Sequence, residues 1–566
     1  MYRKNVLIVF SLLIGLLLTG CSNYQEAQPT KSQPASANDA MMAQPALVPH
    51  GAIGYAGGAI TGHLQTAPAG ERMAKRQPGE PTDRENVDRE NYDHFKDSPT
   101  KRVSEHPVST FSIDVDTGAY ANVRRILNNG RLPQHDAVRI EEMVNYFNYD
   151  YPPPEHLDPP FKVTTEIAPT PWNNNTFLLH IGIKGYDIPK ANLPPANLVF
   201  LVDVSGSMDS PNKLGLLKSA LKLLSKQLTN KDKVSLVVYA GKSGVVLEPT
   251  PGNQSGKISA ALDRLTAGGS THGSAGIQLA YATAQQAFIK DGINRVLLAT
   301  DGDFNVGTVN FYALKNLIEQ KRQSGISLTT LGFGAGNYND HLMEQLADAG
   351  NGNYAYIDTL NEAQKVLVDE MSSTLQTIAK DVKIQIEFNP AAVAEYRLIG
   401  YENRLLRRED FSNDKIDAGE IGAGHTVTAL YEIALVGSGG QRLESLRYRE
   451  NQTAPSEKPD SYELAFLRLR YKAPNGDTSK LRESPLMRQD IINTVDNTSS
   501  RFRFAAAVAA FGQQLRGGTY LERFSYDEIL SLARGARGED PYGYRAEFMK
   551  LVNLAKDTIP KRDSIR

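Results

Sequence analysis

Residues 198–202, Leu-Val-Phe-Leu-Val, are apolar without interruption. The run stops at Asp203, where oxygen-bearing side chains take alternate positions as Asp203, Ser205 and Ser207. An apolar run with no polar alternation predicts a strand covered on both faces. Just beyond it, Leu214, Leu217, Leu221, Leu224 and Leu228 recur at steps of three and four, which predicts a helix over 213–228. Further short apolar runs at 234–240, 296–299, 326–332 and 353–357 read as strands. Helical patterns fall at 258–265, 275–288, 313–323, 341–349 and 362–375. Regular strand–helix alternation predicts an α/β unit with a doubly wound, mostly parallel sheet.

The flanking pattern is different. A strand at 110–115 and helices at 119–128 and 140–147 form a small α/β module, which the Pro-rich stretch 151–160 ends. Residues 161–167 and 176–185 read as paired strands, with Trp172 as a packing residue in the turn between them. After 378, runs at 382–388, 394–401, 425–435 and 462–471 alternate or carry β-branched residues between Asn, Gly, Asp and Pro clusters. They predict an antiparallel, sandwich-like β-domain. Pairing of the 161–192 strands with it would make the α/β unit an insertion. The chain ends in helical patterns at 501–515, 526–532 and 544–556, the second opened by the capping box of Ser525 and Glu528. The expected divisions are 1–20, 21–104, 105–160, 161–192, 193–376, 377–475 and 476–566.

Composition changes the picture mainly at the amino terminus. Tyr2, Arg3 and Lys4 precede an apolar stretch from Val6 to Leu18 and then Leu18-Thr19-Gly20-Cys21. The stretch is shorter than the ~20 residues of a spanning helix and reads as a secretory signal peptide. Its ending resembles the lipobox of bacterial lipoproteins, which implies cleavage before Cys21 and a lipid on its sulfur. By the same resemblance, Ser22 after Cys21 implies outer-membrane sorting, facing the periplasm. Cys21 is the only cysteine, so no disulfide is expected. From Ser22 to about 102 the chain is rich in Gln, Ala, Pro, Ser and Gly, then in mixed charge, and reads as an unfolded tether. With 62 Lys and Arg against 64 Asp and Glu, the net charge of −2 lacks the basic footprint of a nucleic-acid binder.

Candidate chemistry gathers at three loops. The first carries Asp203, Ser205 and Ser207. A second, Gly268-Gly269-Ser270-Thr271-His272-Gly273, opens a helix, and the third follows the 296–299 strand with Asp301. All are expected at one sheet edge, where open α/β folds bind ligands. Oxygen donors of this kind suit a hard cation.

This set resembles the von Willebrand factor A (vWA) domain and its metal-ion-dependent adhesion site, with Asp203, Ser205, Ser207, Thr271 and Asp301 at the five pattern positions. More loosely, the whole chain resembles bacterial envelope lipoproteins that flank this domain with N- and C-terminal extensions. The resemblance implies Mg²⁺, or Mn²⁺ or Ca²⁺, held by Ser205, Ser207 and Thr271. Asp203 and Asp301 would act through water or by orienting the hydroxyls. A partner protein's Asp or Glu carboxylate would complete the coordination. His272 reads as a loop histidine, and neither Asp209 nor Asp303 as a ligand. Asp114 and Asp116-Thr117 imitate the motif but read as turn and helix-cap chemistry.

No enzyme motif is complete. Ser210-Pro211-Asn212-Lys213 and Lys242-Ser243-Gly244 imitate penicillin-binding proteins but stand too close together. Gly332-Phe333-Gly334-Ala335-Gly336 is followed by Asn337 at the place where Gly-x-Gly-x-x-Gly needs glycine, and His341-Leu342-Met343-Glu344 lacks the second histidine of a zinc helix. The expected function is a non-enzymatic, metal-dependent protein-binding module on the cell envelope. The alternative is a structural scaffold of an envelope assembly, with the metal only stabilising the domain.

Overall fold

A computed structural model describes residues 90–113, 116–270, 273–302, 311–336, 338–416, 418–444 and 462–559. All of them lie in one contact unit, Asp83–Arg566. The signal-peptide, Cys21 and tether expectations, together with Asp114, Thr271, His272 and Asp303, fall outside the described residues.

The α/β unit is built on the strand Ala196–Asp203, buried along its whole length. Its side chains alternate between two cores, as a pleated strand requires. Leu198, Phe200 and Val202 face one layer of helices, and Val199 and Leu201 face the other. The sheet runs in the order Tyr354–Ile357, Ser327–Phe333, Ile293–Thr300, Ala196–Asp203, Lys233–Tyr239, Ser243–Pro251. All neighbours are parallel except the last pair. The antiparallel edge strand Ser243–Pro251 is not among the strands expected from the sequence pattern. It is short of buried residues, because one long side faces solvent. From the central strand the chain winds first one way and later the other, so the switch point lies between Ala196–Asp203 and Ile293–Thr300.

Two antiparallel sheets form the sandwich. One has the order Lys101–Arg102, Val393–Ile399, Thr426–Leu435, Asn173–Gly185, Phe161–Thr170. The other runs Ile421–Gly422, Thr377–Phe388, Glu463–Lys472, Ser479–Met487, and Val108–Ser112 also pairs with Thr377–Phe388. Asn173–Gly185 pairs with Thr426–Leu435, so one sheet holds strands from both sides of the α/β segment. Leu179, Ile181 and Ile183 face the second sheet. Leu178, His180 and Gly182 face the opposite way, toward the helical core and Tyr151. Around that face pack Ser500–Leu515, Tyr526–Gly535 and Tyr544–Thr558, with Trp172 buried beside Phe524. Ser479–Met487 lies where the pattern placed the start of the helical segment. Most of its residues are exposed, so it lacks the apolar alternation that reveals a strand.

The expected continuous helices at 213–228 and 362–375 are each interrupted. Pro211–Gly215 and Lys365–Asp369 are single π-turns, beside Leu216–Ser225 and between Leu360–Gln364 and Met371–Leu375. Arginines from the flanking segments grip the α/β unit. Arg124 binds Asp358 and Glu362, Arg139 binds Asp340, and Arg404 binds Glu344 and Asp348. Thr117, ahead of the helix Gly118–Asn128, makes no side-chain cap bond, and Asp116 reaches the α/β sheet. Its Oδ1 accepts the Tyr354 N–H at 2.7 Å, blunting the sheet's edge strand. Among the described residues no helix is long and apolar enough to cross a membrane.

Candidate metal centre

Parallel register carries the candidate residues to one edge. Val202 lies opposite Ala299, so on adjacent strands Asp203 follows that pair by one residue and Asp301 by two. This is the switch point, where the two chain directions diverge and leave a crevice. The Gly268–Ser270 stretch is tied to the first loop by two backbone bonds. Gly268 N–H donates to Val204 O at 2.8 Å, and Gly206 N–H to Gly269 O at 3.1 Å. Gly269 has φ +88°, a conformation glycine supplies without strain. Two of the three expected loops are therefore in contact, and the third follows the adjoining strand.

Asp203 is fully buried and both its oxygens are engaged. Oδ1 accepts the Ser205 N–H at 2.8 Å, and Oδ2 accepts the hydroxyls of Thr300 at 2.9 Å and Tyr239 at 3.1 Å. Burial pushes its pKa up, against the lowering effect of the Ser205 and Thr300 hydrogen bonds; the Asp301 charge adds to the rise. Burial and the Asp203 charge raise the Tyr239 phenol, which stays a donor. This carboxylate orients the loop and supplies nearby charge.

Ser205 and Ser207 present their Oγ atoms 3.1 Å apart. Adjacent ligands of an octahedral ion with ~2.1 Å bonds are separated by ~3.0 Å. The pair thus fits one edge of a magnesium shell. Asp301, also fully buried, accepts from Lys213 Nζ at 2.8 Å. Asp209 is exposed beside the site. Among the described residues no three His, Cys, Asp or Glu side chains form a metal cluster; the donors here are hydroxyls with carboxylates behind them.

Three contributors carry no metal-site signature in the sequence: Tyr239, Thr300 and Lys213. Tyr239 and Thr300 end the two strands flanking or adjoining Asp203, so strand ends were the available signal. In the sequence Lys213 is half of a Ser-x-x-Lys imitation. Its ammonium is engaged with Asp301, and Ser210 Oγ donates instead to Asn212 Oδ1 at 2.6 Å.

Residues 197–370 match the model of the von Willebrand factor type A domain. The α/β unit is a vWA domain, a general protein-interaction module. Residues 86–180 match a model described as von Willebrand factor, and 373–558 match "Uncharacterized protein YfbK, C-terminal". The Escherichia coli (strain K12) protein described as "Uncharacterized protein YfbK" is 50% identical over 504 residues, 88% of this chain and 86% of that one. The chain belongs to the YfbK family. A Synechocystis protein, "Uncharacterized protein sll0103", is 31% identical over 169 residues, 30% of this chain and 39% of its own. Among solved structures, the von Willebrand factor type A protein from Catenulispora acidiphila is similar at TM-score 0.39 and 15% identity, covering 69% of this chain and 88% of that one.

Proposed function

We propose that this YfbK-family protein is a non-enzymatic, divalent-metal-dependent protein-binding module, displayed on the cell envelope as a lipoprotein. What supports this is the Ser205–Ser207 hydroxyl pair, 3.1 Å apart at the switch point, backed by Asp203 with both oxygens committed. Ser205, Ser207 and Thr271 would hold Mg²⁺, with Mn²⁺ or Ca²⁺ as substitutes. Asp203 and Asp301 would orient donors and balance charge. Neutral direct ligands leave such an ion electrophilic, and an Asp or Glu carboxylate of a partner protein would take the remaining position. The anchor would be a lipid on Cys21, in the outer membrane and facing the periplasm.

The test pairs metal titration with partner capture from native membranes. Asp203→Ala and Thr271→Ala should abolish both, and chelator should abolish capture by the unaltered chain. Equal capture by these variants, with or without chelator, refutes the metal-dependent reading. It would favour a structural scaffold, a reading supported by the arginine grips that lock the vWA domain to its flanking segments.

A further inference from the structure

Lys213 sits in the π-turn Pro211–Gly215, directly after the Asp-x-Ser-x-Ser loop. It is 8% exposed, and its Nζ lies 2.8 Å from Oδ2 of the fully buried Asp301. The stem lies on Gly334, in the loop after the neighbouring strand Ser327–Phe333. A Cβ on Gly334 would collide with Lys213 Cε and Cγ, and the φ there is +80°. The missing side chain of Gly334 therefore makes the channel through which the ammonium reaches the site. Loop position, π-turn and glycine all direct one positive charge at a carboxylate of the candidate metal centre.

The charges at this edge can be counted. Among the described residues, Asp203 and Asp301 bring two negative charges and Lys213 one positive, so these three buried groups together carry a single negative charge. A divalent ion held there makes it positive. In an apolar surrounding, an uncompensated charge is costly and draws a counter-ion.

We infer that Lys213 is the resident cation of the site and determines its metal and anion selectivity. It neutralises Asp301 when no metal is bound. It weakens divalent binding by like-charge repulsion. It leaves the loaded site cationic, so that the loaded site demands an ionised carboxylate rather than a neutral amide. The inference rests on the metal reading above and adds the residue that governs it.

The experiment uses the full chain, with Mn²⁺ as probe followed by electron paramagnetic resonance, and sodium acetate as the carboxylate. Lys213→Met keeps the stem that lies on Gly334 and removes the charge. Lys213→Gln also removes the charge and retains a donor for Asp301, which covers a folding failure of the first variant. Both should bind Mn²⁺ at least tenfold more tightly than the unaltered chain. Acetate should tighten Mn²⁺ binding by the unaltered chain and do so several-fold less in the variants. Melting temperature in chelator should fall in Lys213→Met and rise more steeply with added Mn²⁺ than in the unaltered chain. Equal Mn²⁺ affinity in all three chains overturns the role of Lys213 and leaves the metal reading intact. Mn²⁺ binding gained only by the variants supports Lys213 as the resident cation and overturns metal dependence of the native chain. No binding by any of them overturns both.

Discussion

Replacing Arg124 by Met tests what joins the vWA domain to the rest of the molecule. The Arg124 side chain is 3% exposed and meets three carboxylates. Its Nε donates to Asp358 Oδ2 at 2.8 Å, its Nη2 to Glu362 Oε2 at 2.8 Å, and its Nη1 to Glu547 Oε2 at 3.0 Å. Nη1 also reaches Tyr146 Oη at 3.0 Å. Asp358 and Glu362 belong to the α/β unit, Glu547 to the last helix and Arg124 to the first. Met fills much of the same apolar volume beside the stacked rings of Tyr120 and Tyr146 but leaves the carboxylates facing one another. Glu547 is 38% exposed and water can solvate it, so it adds little. Asp358 and Glu362, at 5% and 1%, cannot be solvated in that way. Breaking a buried ion pair from one side costs about 3–5 kcal/mol, and that is the expected loss. Urea unfolding read by the fluorescence of Trp172, packed in the helical core beside Phe524, measures it. Adding Asp358→Asn and Glu362→Gln to the Arg124→Met chain removes the orphaned charges and should restore more than half of the loss. A loss below about 1 kcal/mol, or no recovery in the triple variant, would refute the view that buried charge holds this seam.

Other consequences can be measured separately. His180 is fully buried, with Nε2 2.9 Å from Tyr151 Oη, and burial lowers its pKa to about 3; burial likewise lowers His425 to about 4. The unfolded chain binds these protons near pH 6.5 and the folded chain resists them. The stability is therefore complete above about pH 6.5 and falls by a few kcal/mol as pH drops toward 4. His180→Phe should flatten the pH dependence of the urea midpoint, and an unchanged slope would count against the assignment. Tyr239→Phe and Thr300→Val each remove a donor from Asp203 Oδ2. Each should weaken Mn²⁺ binding about 10–100-fold while the melting temperature in chelator changes little; undiminished affinity would contradict the orienting role. Phe548 is fully buried among Phe147, Phe504 and Phe511, so Phe548→Ala should cost about 3–5 kcal/mol by urea unfolding. Ser499 Oγ caps Ser500–Leu515 by accepting from Phe502 N at 3.2 Å, and Ser499→Ala should cost about 1 kcal/mol in the same assay.

The local pattern of the chain determined a good deal by itself. An apolar run at 198–202 can only lie between two layers, and it does. The Leu stripe beyond 213 marks one helix face, and alternating runs mark the strands of the sandwich. Asp203, Ser205 and Ser207 could be named as one loop because three residues in one turn need no long-range information. Tertiary structure decided what depends on contacts between distant residues. Sheet order makes the edge beside Asp203 the switch point, and only that order brings Asp301 there from 98 positions away. Strand Ser479–Met487 is exposed and polar, so only its pairing with Glu463–Lys472 reveals it. Tyr239 and Thr300 have ordinary strand sequences; their role comes from ending beside the same carboxylate. Lys213 carries the clearest case. In the sequence it is the first cation of a Leu-rich helical pattern and half of an incomplete Ser-x-x-Lys motif, and neither points to the metal site. A π-turn re-aims it, a glycine on another strand's loop makes room for its stem, and a buried aspartate on a third receives its charge. Side-chain direction and charge pairing arise from packing between elements, which local periodicity does not encode.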